Sequence, residues 1–183
     1  MSLQTWFEKG LTADAYRETL DYHKDNFAKI YDSFELPKDE EFFQDIQKKQ
    51  LRVIVLAEPW CGHCMLNIPI LLHFAKATQM DVRFLLRDEN LELMDQYLTN
   101  GNRTIPIFIF INQNGEEVAK WGPMAEKTRN ILAPHREKLP PKGTEGYDEA
   151  FKEMVKFTTS EFRENRSIWE GVYTSLKETI EKI

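Results

Sequence analysis

Leu51-Arg52-Val53-Ile54-Val55-Leu56-Ala57-Glu58-Pro59-Trp60-Cys61-Gly62-His63-Cys64 is the stretch on which the fold turns. Residues 51–57 are almost continuously apolar and rich in β-branched side chains. That pattern suits a strand covered on both faces, as in a parallel sheet with helices. Residues 64–78 read as a helix, with apolar side chains in nearly every turn. A bare Cys-x-x-C is a weak signal, but one that follows a buried strand and opens a helix is strong. At a helix N-terminus, unpaired N–H groups and the positive end of the dipole favour a thiolate. Cys61 is expected where those donors converge, partly exposed, with its pKa below that of a free thiol. Cys64, one turn later, is expected to be buried and close enough to close a small disulfide ring. His63, when protonated, would place a second positive charge beside Cys61 and make the disulfide form more oxidising.

Further strands and helices extend from this stretch. Residues 82–86 give a second buried strand, residues 91–99 a short helix and residues 106–111 a third strand. Asn114-Gly115 marks a hairpin turn, because both residues tolerate positive φ. Residues 116–121 return as an antiparallel edge strand, and residues 126–139 form a helix that Pro134 would break. On the N-terminal side, Tyr16, Leu20, His23, Phe27, Ile30 and Phe34 mark one face of a helix over 12–34, with Thr12 as N-cap. Pro37 separates it from a helix over 39–49. After Pro140-Pro141-Lys142-Gly143, residues 146–183 are helical in pattern. Interruptions at Thr158, Asn165 and Gly171 point to a bend or two helices. The expected organisation is one compact domain in three parts: a helical segment over 1–50, an α/β core over 51–138 and a helical extension over 139–183. The core reads β-α-β-α-β-β-α, a mixed sheet of about four strands flanked by helices.

Composition narrows the function. The 183 residues carry 24 Lys+Arg against 30 Asp+Glu, a net charge of −6, which argues against a nucleic-acid binder with a broad basic face. Two cysteines exclude a disulfide-rich secreted scaffold. No apolar run approaches the roughly 18–20 residues that span a bilayer, and the first thirty residues hold no signal-like stretch. The expectation is a cytoplasmic protein with no membrane partner. Thiols there are mostly kept reduced, so a close pair reads as catalytic or metal-binding. A structural zinc site wants four ligands, and no second Cys-x-x-C or His-x-x-His accompanies the first, so no metal is expected. His23 lies on an apolar helical face and reads as a core histidine, while His73 and His135 read as ordinary helix residues.

The Trp60-Cys61-Gly62-His63-Cys64 segment resembles the thioredoxin superfamily, and its Cys-Gly-His-Cys variant is similar to that of protein disulfide isomerases. Pro69, the Ile105-Pro106 pair, the Asn114-Gly115 turn and Gly122 agree with the resemblance, which covers residues 51–138. It implies a cis peptide bond before Pro106, facing the cysteines. It implies that Trp60, which also reads as a packing residue, covers the thiol and contacts substrate with Gly62, and that the Ile105 backbone pairs with an extended substrate segment. Two features depart from the family. Residues 1–50 offer no N-terminal strand, which leaves four strands. The family's buried acid and its lysine partner fall on Val55 and Phe84, so Glu58 becomes the candidate for proton transfer.

The function implied is thiol–disulfide exchange through Cys61 and Cys64 with disulfide-containing proteins or low-molecular-weight thiols. The cysteine pair would be its own redox centre, with no bound cofactor and an unspecified electron donor. The alternative is a non-catalytic or redox-sensing adaptor that binds a protein partner through its added helices.

Overall fold

The computed structural model describes residues 1–183. Four strands form one sheet in the order β2-β1-β3-β4. β1 (Arg52–Ala57) is central, and five of its six residues are buried. It pairs in parallel with β2 (Asp81–Leu86) and antiparallel with β3 (Ile107–Ile111), so Val55 lies between Phe84 and Phe108. β4 (Glu117–Trp121) returns antiparallel along β3, with a register shift at Phe110/Ile111. The family's missing N-terminal strand has a one-residue remnant. Leu11 donates to the Phe84 carbonyl at 2.8 Å, and Phe84 donates to the Leu11 carbonyl at 2.9 Å.

The parallel β1–β2 pair needs a crossover, and α5 (Gly62–Thr78) supplies it. Eleven of its 17 residues are buried, as befits a helix enclosed on all sides. α3 (Lys24–Ser33), α4 (Glu40–Lys48) and α9 (Arg166–Ile180) pack against it. α1 (Leu3–Lys9) and α2 (Ala13–Glu18) pack on β2. α7 (Glu126–Arg136) packs on α9. α8 (Tyr147–Glu164) touches α3, α5, α7 and α9, yet Phe162, near its C-terminal end, is its only buried residue. α9 buries seven. No helix is long and apolar enough to cross a membrane.

Several elements differ from the sequence reading. The single helix expected over 12–34 is two. After α2 the Thr19 hydroxyl donates to the Tyr16 carbonyl and the chain tightens, with Leu20 N–H bonding Arg17. α3 restarts after His23. Tyr16, Leu20, His23, Phe27, Ile30 and Phe34 are nonetheless all buried, so the stripe is real and the continuity is not. The helix expected over 91–99 shrinks to α6 (Leu91–Met94). Pro134 does not break α7: the helix runs on to Arg136, and the Glu137 N–H still reaches the Ala133 carbonyl at 3.0 Å. The C-terminal segment divides at Asn165, whose side chain caps α9 by accepting from Ser167 N–H.

Candidate thiol site

Cys61 caps α5. Its sulfur accepts the Cys64 backbone N–H at 3.3 Å, and its thiol donates to the Ile105 carbonyl at 3.7 Å. The expectation of partial exposure fails: Cys61 is only 7% exposed, because β3's entry at Ile105-Pro106 closes over it. Cys64 is fully buried. Both are free thiols. The environments of the two sulfurs push them apart. A hydrogen bond from the Cys64 thiol lowers the Cys61 pKa, against the burial that raises it. The Cys64 and His63 N–H groups and the Arg87 charge lower it further. Burial pushes the Cys64 pKa well up, and the hydrogen bond it gives to Cys61 adds to that.

His63 departs from its expected role as a second positive charge. Burial, and then the Arg136 guanidinium, lower its pKa to about 4. Its ring lies 5.1 Å from that of Phe162. Arg136 approaches Nε2 at 3.4 Å, and since a guanidinium only donates, Nε2 accepts and the ring is neutral. The cation that reaches Cys61 is Arg87, which also sits 4.9 Å over the Trp60 ring.

Glu58 ends β1's path into the site and is 5% exposed. Its Oε1 accepts the Asp88 N–H at 2.8 Å, and burial raises its pKa. Its charge reaches Cys64 and raises that pKa too. The Tyr16 hydroxyl donates to the Glu58 carbonyl at 3.3 Å, and its ring stacks on Phe84 at 4.4 Å. Burial, followed by the charges of Cys64, Cys61 and Glu58, raises its pKa far above the usual phenol range. At the place where the resemblance implies the lysine, Phe84 therefore stacks on Tyr16, and its strand neighbour at the acid's place is the apolar Val55.

The Ile105–Pro106 peptide is cis, and so is Gly122–Pro123. Gly122 closes the site from β4's end, with φ of +124° and its Cα so close to β3 that a Cβ would lie 2.3 Å from the Pro106 carbonyl oxygen. Trp60 is 55% exposed at the rim. His23 Nε2 meets the Trp60 carbonyl at 3.2 Å.

The structure thus brings Cys61, Cys64, His63, Glu58, Trp60, Gly62, Ile105 and Pro106 around one point. Tyr16, Arg87 and Arg136 join them without having been singled out from sequence. Tyr16 read as one member of an apolar stripe, and no local pattern joined the two arginines to the cysteines.

A family model described as thioredoxin matches residues 10–138. A search of curated proteins finds no match. Among solved structures, an HIV epitope scaffold superposes with a TM-score of 0.72 at 15% identity, covering 100% of this chain and 99% of its own. A Pseudomonas aeruginosa protein of unknown function superposes with a TM-score of 0.70 at 14% identity, covering 100% and 98%. At those identities the two structures speak for the fold, while the family match takes in well over half of the sequence: the chain belongs to the thioredoxin family.

Proposed function

We propose that the protein is a thiol–disulfide oxidoreductase that reduces protein disulfides. The observation that carries this reading is the division between two sulfurs in one helical turn. Cys61, capping α5, is biased toward thiolate, and Cys64, fully buried, is held as a thiol. The Cys61 thiolate attacks one sulfur of a substrate disulfide. That S–S bond breaks, a mixed disulfide forms, and the departing thiolate takes up a proton. Cys64 then loses its proton, which we assign to the Glu58 carboxylate, and attacks the Cys61 sulfur. The mixed disulfide breaks, two electrons have passed to the substrate, and the Cys61–Cys64 disulfide remains. A dithiol of unspecified identity resets it. Trp60, Gly62 and the Ile105 backbone contact the substrate segment next to its disulfide. The pair needs no further cofactor in this scheme. Reduction is the direction proposed, in a cytoplasm that keeps thiols reduced.

The test is insulin-disulfide reduction driven by dithiothreitol. Cys61→Ser is expected to abolish it, and full activity in that variant would remove the nucleophile assignment. Cys64→Ser is expected to accumulate mixed disulfides on non-reducing gels, and their complete absence would count against a resolving role.

The adaptor reading is favoured by one observation, the 7% exposure of Cys61. A thiolate titration at Cys61 near 8.5, with negligible turnover, would decide for it.

A further inference from the structure

We propose that α7 and α8 form a charge-selective subsite beside the cysteines, one that favours disulfides in protein segments carrying an acidic residue next to an apolar one. The inference rests on the thiol-exchange reading and names its substrate class.

A groove of about 390 Å³ opens beside Trp60 and Gly62, a size ordinary for ligand pockets. Phe151 and Val155 of α8 form its far wall. Large apolar side chains are exposed at eight places on the protein, and four of them (Tyr22, Trp60, Phe151 and Val155) line this groove. Such a concentration marks a contact surface rather than scattered exposure. The wall lies outside residues 10–138, so it is an addition to the part of the chain the family model matches.

Charge decides the occupant. The chain is net negative at −6, yet no carboxylate lines the groove. Arg136 does line it, and it pairs with no Asp or Glu. Its polar neighbour is the neutral His63 ring. His23, itself only 5% exposed, lines the same groove with its Nδ1 unpartnered. A guanidinium above an apolar floor, without a counter-ion, is complementary to a carboxylate borne on an apolar segment. Because the groove flanks Trp60 and Gly62 on either side of Cys61, a segment lying there brings its own cysteine to the nucleophile.

The experiment compares kcat/KM for two peptide disulfides of one sequence, with Phe beside the cysteine and then either Glu or Lys. The wild-type protein is expected to favour the Glu peptide by about fivefold. Arg136→Glu is expected to invert the ratio. Lys138→Glu, the same charge change on an exposed residue outside the groove, is expected to leave it as it was. A wild-type ratio of one overturns the proposal, and so does a ratio that Arg136→Glu leaves unchanged or that Lys138→Glu shifts equally. If neither peptide is reduced, the thiol-exchange reading falls by itself. Calorimetric binding of the same peptides, with Ser for Cys, to the Cys61→Ser/Cys64→Ser protein then judges the groove. Tighter binding of the Glu peptide supports the subsite, and equal binding overturns it. Octanoate that displaces the Glu peptide at matched concentration would overturn the commitment to a protein segment.

Discussion

At His63 the folded chain refuses a proton that the unfolded chain accepts. The imidazole's ordinary 6.5 falls to about 4 on folding, because burial and Arg136 both oppose its charge. Between those two values the unfolded state binds more protons, so stability rises with pH across the window and is lost as pH falls from about 6.5 toward 4. Comparing urea unfolding at pH 7 and pH 4.5, the wild type is expected to lose about 2 kcal/mol more than His63→Gln. His23, also lowered by burial, titrates alike in both proteins and cancels. Equal losses would mean that His63 is free to protonate in the fold. The same neutrality leaves the hydrogen bonds of α5's first turn, with Arg87, to hold the Cys61 charge. At this scale the cysteine spacing was legible, because both residues belong to one turn. The charge of His63 was not, because Phe162 and Arg136 come from helices far along the chain.

Among the elements, the junction of β3 and β4 depends on Gly122. A side chain there would collide with backbone, the Pro106 carbonyl, which has no rotamer through which to yield. Gly122→Ala is expected to cost about 3 kcal/mol, read from thermal or urea unfolding. Gly143→Ala is the control. Its φ of +87° is also left-handed, but nothing lies within 4 Å of the new Cβ, so it should lose only about 1–2 kcal/mol. Similar losses at both positions would show that the close approach to Pro106 is not what requires glycine. β1, β3 and α5 were legible because burial on both faces writes a continuous apolar run. The break between α2 and α3 was not. Both helices turn the same stripe inward, so periodicity runs across the gap that delivers His23 to the Trp60 carbonyl. The Leu11–Phe84 bridge was equally hidden, since a single residue pair carries no period.

Across the whole molecule, one buried cluster runs from Trp6 to Ile180, so the terminal helices share the core of the sheet. Sequence marked residues 146–183 as helical and left their partners open, because an amphipathic stripe does not say which surface it meets. Once folded, the two halves of that segment are unequal. α9 is sealed by seven buried residues, while α8 is pinned by Phe162 near one end. Local opening free energies follow buried contact, so the backbone amides of the two helices should not exchange with solvent deuterium together. The expected outcome, read by hydrogen-exchange mass spectrometry, is early labelling of residues 147–157 and the slowest labelling in α5 and α9. Uniform protection across α8 and α9 would contradict it. The consequence is a groove wall that frays from the end remote from Phe162 while α5, which carries the cysteines, stays closed.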